Sequence, residues 1–384
     1  MPELKCQKEK FSLSPETIYL NCAYMSPLLV STQQAGIQGI KSKGDPTKIN
    51  PEDFFTIKEH IKKLYSELVN CNQEQIALIP SSSYGYASVF QNLKANKGDE
   101  IIMVTDEFPS SYYTINKWCN NTGANLIEIS KPSRESEMTW SEKLIESINE
   151  NTSIIAIPTV HWIDGTAFDL KQIGKACRKN NIKLIVDGTQ SVGAVPIDIT
   201  ECNIFALIVA SYKWLFGPYS IGLLYIDKSL NTGDPIEYSW MNRSNAADFS
   251  SLTNYTDEYG EGASRYNVGE FSNFILLPML KDALEQLSNW TVEGVNNYCA
   301  ELSRDLIEFC KSNGLKINDS RERENHLISI DLSESSITAD EIVKELKKEN
   351  ISVSVRKTLI RISINVYNTP EDISKFISAV KRLI

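Results

Sequence analysis

The chain reads as an α/β protein with a large, mostly parallel seven-stranded sheet domain and a smaller α/β C-terminal domain. Three observations predict this. Between about residues 70 and 230, short apolar runs alternate with segments of helical period, the rhythm of parallel strands joined by helical crossovers. A long polar stretch then separates that region from a shorter succession of strand and helix patterns. Finally, 384 residues correspond to roughly 2 to 3 domains, enough for one large core and a smaller lobe.

Taken in order, the apolar runs at 75–79, 100–104, 124–129, 154–158, 183–186, 204–209 and 222–226 read as the strands of the main sheet. They are continuous rather than alternating, as expected of strands buried on both faces. Helical patterns at 140–149 and 170–180 lie between them. The stretch 242–266 is rich in Ser, Asn, Asp and Gly and reads as an ordered loop at the site rather than as a linker. Helices are expected at 273–287 and 292–312, then a small lobe with strands at 326–332, 351–355 and 359–364 and helices at 339–349 and 370–383. The expected division is a large domain over residues 15–270 and a small domain made of 1–14 plus 271–384.

Composition narrows the classes of function. Hydrophobic content of 42% and charged content of 23% are those of a soluble globular protein. No apolar stretch approaches the ~20 residues of a membrane span, and Met1-Pro2-Glu3-Leu4-Lys5-Cys6 lacks a signal peptide's apolar core. A cytoplasmic protein is expected. The net charge of -10, without a basic run or basic helix face, speaks against nucleic acid. The eight cysteines are far apart and the three histidines (His60, His161, His326) scattered, so neither a disulfide framework, a metal site nor a histidine triad has local support.

Asp187 and Lys213 carry the most information. Each follows an apolar run, at 182–186 and 204–210, that delivers its end to one edge of a parallel sheet, where ligands bind. Carboxylate and amine are therefore expected side by side. That pair is what pyridoxal 5'-phosphate (PLP) requires: an acid to keep the pyridine nitrogen protonated and an amine to hold the aldehyde as a Schiff base. Gln190, three residues past Asp187, can reach a ring substituent. Ser81, Ser82 and Ser83 stand between a strand and a helix, where a phosphate would meet hydroxyls and free N–H groups; taken alone, such a cluster is more often a simple N-cap. Phe108, after the next strand, could stack on a planar ring or belong to the core.

With these residues in place, Asp187-Gly188-Thr189-Gln190-Ser191-x-Gly193 followed by Ser211-Tyr212-Lys213-Trp214-x-x-Gly217-Pro218-Tyr219-x-x-Gly222 resembles the core signature of class V PLP-dependent aminotransferases. That family includes cysteine desulfurases, kynureninases and isopenicillin N epimerase-like proteins. The resemblance runs from Tyr19-Leu20-Asn21-Cys22-Ala23 to Arg361 and Tyr367-Asn368-Thr369. It implies the PLP-dependent transferase fold (fold type I), a homodimer with sites at the subunit interface to which residues 242–273 contribute, and an amino acid or related primary amine as substrate. It further implies that Lys213 forms the Schiff base and moves the Cα proton, that Asp187 pairs with the pyridinium, and that Gln190 approaches the phenolic oxygen. Ser82, Ser83 and Tyr212 would hold the phosphate, Phe108 would stack on the ring, and Arg361 would take the substrate carboxylate.

The chain also departs from its relatives. Tyr212 stands where many carry His, and Ser111 where kynureninases carry Asp, which speaks against kynurenine cleavage. Trp162 replaces an Asn near the cofactor, so His161 or Trp162 is expected to shape the cofactor or substrate face. Glu270 would repel a partner's phosphate. No cysteine follows Cys310, which disfavours persulfide chemistry. Transamination is the expected reaction, since it needs only Lys213 as proton carrier. A lyase or epimerase on the same scaffold is the alternative, with Tyr24, Trp240, Arg243 and Arg265 as possible arbiters, and a non-catalytic PLP-binding protein stands third.

Overall fold

The structure, a computed structural model, describes residues 3–384, so the first two residues of the expected 1–14 segment lie outside the described residues. In chain order it runs β1 (Ile18–Tyr19), α1 (Val30–Gly44), α2 (Thr56–Val69), β2 (Ile76–Ile79), α3 (Ser82–Gln91), β3 (Glu100–Val104), α4 (Pro109–Thr122) and β4 (Asn125–Ile129). There follow α5 (Trp140–Glu146), β5 (Thr152–Pro158), α6 (Leu170–Lys179), β6 (Lys183–Asp187), β7 (Ile204–Ala210) and β8 (Gly222–Ile226). The chain closes with α7 (Leu276–Trp290), α8 (Val292–Ser312), β9 (Leu327–Asp331), α9 (Ala339–Lys348), β10 (Ile351–Ser352), β11 (Ser354–Arg356), β12 (Leu359–Ser363) and α10 (Pro370–Lys381).

The expected seven-stranded sheet is present in the order β2-β8-β7-β6-β5-β3-β4, parallel except for β8, which runs against both its neighbours. Apart from the edge strand β4, which exposes Asn125 and Glu128, its strands are buried on both faces because alternate residues feed different cores. Leu184, Val186, Leu207 and Val209 face one side with Ile61 and Tyr65 of α2 and Leu280 of α7. Ile185, Ala206 and Ile208 face the other with Tyr86 and Val89 of α3 and Ile115 of α4. Register pairs Asp187 with Pro158 on one side and Ile208 on the other, so β5, β6 and β7 end at one edge.

The small lobe is an antiparallel sheet β11-β12-β9 backed by α9, with α10 packed on α8 and α9. Helices α9 and α10 start at capping boxes, Thr338 with Glu341 and Thr369 with Asp372, which fill otherwise orphaned N–H groups. β1 pairs with β10, and Gln7 N–H donates to Val366 O at 2.7 Å, so the N-terminal segment lies against this lobe.

Most expected elements fall within two residues of their observed bounds; three differ by more or are divided. The single strand 351–355 is two: β10 pairs with β1 and β11 with β12, so the chain changes partners at Val353. The helix at 140–149 stops at Glu146, where Asn149 instead closes a turn by accepting from Asn151 N–H and donating to Glu100. The helix at 273–287 begins at Leu276 and reaches Trp290, because the Asn273 side chain accepts the N–H groups of Ile275 and Leu276 ahead of the first turn.

Candidate active site

Asp187 ends β6 and is 7% exposed. Its Oδ1 accepts the Thr189 N–H at 2.8 Å, while Thr189 Oγ1 accepts the Ala210 N–H at 3.1 Å, tying the turn after β6 to the end of β7. One carboxylate oxygen is thus fixed and the other is available to the cavity. Burial pushes the carboxyl above its usual range, opposed by the Thr189 hydrogen bonds and by Lys213.

Lys213 lies in a loop that Ser211 closes. The Ser211 hydroxyl donates toward the Pro218 and Ile221 carbonyls at 2.9 and 2.8 Å. Lys213 is 7% exposed, with its Nζ 5.9 Å from the Phe108 ring centre and 5.6 Å from that of Tyr212. Burial lowers its amine to about 8, against the pull of Asp187 and with the push of Arg361 and Arg356.

Both side chains open into one cleft. Ser82, Phe108, Trp162, Gln190 and Tyr212 share its wall, so the structure brings together most of the residues singled out in the sequence. The α3 N-terminus reaches it with Ser81 as N-cap, accepting the Tyr84 N–H at 3.2 Å. The N–H groups of Ser82 and Ser83 sit in the first turn, where a helix has no internal partners for them. Phe108 and Trp162 meet edge to face at 5.6 Å. The Gln190 amide donates to Ala23 O and accepts from Trp214 Nε1, leaving one N–H.

Three expected residues are not part of this wall. Ser83 is exposed, and its Oγ lies 2.8 Å from Ser81 Oγ. His161 does not line the cleft: its ring packs on Trp140 at 5.2 Å, and Nδ1, 3.2 Å from Asp164 Oδ1, turns it away from the side that Trp162 occupies. Burial opposes its charge, yet Asp164 holds it above the usual histidine value. Arg361 lies behind Trp162, donating from Nη1 to the Trp162 carbonyl and from Nε to Ser354 Oγ at 3.2 Å.

Other residues contribute that sequence reasoning passed over. Glu107 lines the cleft, its Oε1 takes the Phe108 N–H, its Oε2 is buried without a partner, and burial raises it to about 7. His326, neutral because burial lowers it to about 4, has Nε2 2.7 Å from Gln190 O and its ring edge-on to Trp214 at 4.4 Å. Cys22 lies near Lys213, but burial pushes its thiol up to about 12, far from a thiolate at neutral pH. A larger polar cleft between residues 131–138 and 317–331 contains none of this chemistry, and its Lys131 and Arg134 are already paired with Asp164 and Asp331.

The sequence model of the family described as "Aminotransferase class-V" matches residues 50–376. The Bacillus subtilis protein named "Uncharacterized aminotransferase YcbU" is 24% identical over 324 residues, covering 84% of this chain and 82% of its own. Kynureninase of Geobacillus thermodenitrificans is 21% identical, covering 98% of this chain and 90% of its own. Among solved structures, a C-DES mutant with glycine covalently linked to the PLP cofactor superposes with a TM-score of 0.86 at 17% identity, over 97% of this chain and 98% of that one. At that identity the likeness speaks to the fold.

Proposed function

The chain belongs to the class-V aminotransferase family, with its PLP cofactor and fold type I architecture, and from that premise we propose an aminotransferase acting on an amino acid or related primary amine. The observation that carries the reading is the buried Lys213 amine, lowered to about 8 in the same cleft as Asp187. An amine so placed exists near neutral pH in both forms, as a nucleophile and as a proton carrier.

The residues present fit PLP. Asp187 offers one uncommitted carboxylate oxygen to a ring nitrogen, and a positive ring would relieve the cost of its burial. Phe108 supplies an apolar face, Ser82 and Tyr212 stand with the α3 N-terminus to take a phosphate, and Gln190 keeps a spare N–H. When bound, PLP supplies the sink for electrons released at the substrate Cα. Lys213 would hold the aldehyde carbon in the resting enzyme, and its amine would carry a proton from the substrate Cα to that cofactor carbon. Arg361, with Nη2 buried and unpartnered, binds the substrate carboxylate. Ser83, exposed beside that wall, would add its backbone N–H and its hydroxyl to the phosphate site.

The reading includes a homodimer and a cytoplasmic location. All eight cysteines are unpaired, and no helix among the described residues is long and apolar enough to cross a membrane. The division into domains of residues 15–270 and 1–14 plus 271–384 belongs to the same proposal.

The test is the visible spectrum of the purified protein with PLP as amino acids are added singly, with Lys213→Ala as control. A band near the PLP region that needs Lys213 and is bleached by an amino acid with release of the keto acid is the expected result. Ammonia, sulfide or an inverted amino acid in place of a keto acid would move the reaction to a lyase or epimerase. No band at all would overturn the reading.

A further inference from the structure

Two guanidinium groups share one face of the small-lobe sheet beside the cleft. In the antiparallel pairing of β11 and β12, Ser354 stands opposite Arg361, and Arg356 is two residues from Ser354 on the same strand. Side chains at these positions point to the same side of the sheet. Both arginines meet Trp162 of the cleft wall: Arg361 donates to its carbonyl, and the Arg356 guanidinium carbon lies 5.6 Å from its ring centre. Both also bear on Lys213, whose amine they help to lower, and Arg356 adds to the effect of burial in lowering Arg361.

Neither arginine has an acidic partner. Among the described residues the arginine–carboxylate pairs are Arg134–Asp331, Arg321–Asp319 and Arg382–Glu349. Arg361 Nη2 and Arg356 Nε are buried with nothing to donate to. The carboxylates closest in sequence to the wall are engaged elsewhere. Asp106 pairs with Lys357 at 2.6 Å, and the Glu107 carboxyl takes the Phe108 N–H on Oε1, its Oε2 being buried without a partner and so not bonded to either arginine. Arg356 Nη1 donates to its neighbour Val355 O at 2.7 Å and the guanidinium lies over the Trp162 ring, but neither contact fills its Nε–H. Two like charges held together against their repulsion, inside a chain of net charge -10, call for anionic groups supplied from outside the chain. A single α-carboxylate satisfies one of them.

Resting on the aminotransferase reading, we propose that Arg356 and Arg361 together select an acidic α-amino acid, Arg361 taking one carboxylate and Arg356 the second. An aspartate- or glutamate-like substrate fits this pair, and the matching keto acid is a dicarboxylate as well. Arg356 is then the residue that sets specificity, since its partner serves every α-amino acid alike.

The pairs L-aspartate/L-asparagine and L-glutamate/L-glutamine differ by one charge at nearly constant shape. Their dissociation constants are read from the change in the cofactor band of the holoenzyme. At least one acidic member should bind about tenfold or more tightly than its amide, the scale of one charge-assisted hydrogen bond. Arg356→Gln should bring that ratio close to one, and Arg356→Lys, which keeps the charge but loses the fork, should leave it in between. Equal binding of acid and amide in both pairs, or a ratio unmoved in Arg356→Gln, overturns the proposal.

A second readout needs no cofactor chemistry. Maleate should raise the melting temperature of the apoprotein where crotonate, with a single carboxylate, does not, and the difference should vanish in Arg356→Gln. If the protein shows no PLP band yet this difference holds, the aminotransferase reading fails and the arginine pair stands. If the band forms and maleate behaves like crotonate, the pair fails alone.

Discussion

At Lys213 two effects oppose each other and burial prevails. Removal from water lowers the amine to about 8, although Asp187 beside it favours the charged form. Only the neutral amine adds to an aldehyde, so capture of PLP by the apoprotein should quicken about tenfold per pH unit below about pH 8 and level off above it. Asp187→Asn removes the attraction that holds the proton, and its profile should shift to lower pH. Stopped-flow absorbance from about pH 6 to 10 reads both curves; a shift of the variant to higher pH would contradict this account of the site. Lys213 and Asp187 were legible because each ends an apolar run at a sheet edge. Glu107 was not, because Asp106 adopts φ 58 and breaks the strand alternation that tells inward from outward residues. Arg356, beside Lys357, looks like surface charge until the pairing with β12 sets its face. At His161 and Trp162 the sequence left both inward, and the Asp164 hydrogen bond decides between them.

Between elements, the site depends on how closely the turn after β6 packs on the loop that carries Lys213. Gly193 sits at φ +103, and a Cβ there would come within 2.3 Å of Trp214 O, the carbonyl next to Lys213. Neither the backbone angle nor the contact tolerates a side chain. Gly193→Ala should therefore cost about 2 kcal/mol or more, and it should weaken PLP binding by displacing the Lys213 loop. A urea midpoint and a PLP titration measure the two effects; an alanine variant with both unchanged would show that the loops do not constrain each other. The strands of the main sheet were legible because burial on both faces leaves continuous apolar runs. α1 left little trace, since the residues it buries are Thr32, Gly36 and Gly39, small groups that let it approach Met279 and Phe274 rather than an apolar stripe. The change of partner at Val353 was invisible because β1, the partner of β10, is two residues long and distant in sequence.

For the whole molecule, the question is what covers the exposed aromatic side chains. Tyr219, 62% exposed, lies 4.7 Å from Tyr212 of the cleft wall. Tyr238 and Tyr255 are 71% and 93% exposed, and Trp240, 41% exposed, meets Phe249 edge to face at 5.6 Å. Glu270 is exposed too, with its backbone at φ 55. Scattered apolar residues need no explanation, but several large aromatics in and beside one polar stretch have the composition of a protein interface. Sedimentation equilibrium should return twice the 43.2 kDa chain mass. Tyr238→Asp combined with Tyr255→Asp changes side chains that are 71% and 93% exposed in the single chain, so a folding defect is not expected from them. If a second copy covers this surface, the double variant should sediment as a monomer with an unchanged circular dichroism spectrum, and it should hold PLP more weakly because residues 242–273 of a neighbour complete the site. A wild-type monomer that binds PLP in full would break the link between assembly and cofactor, and the aromatics would then have to face a different partner.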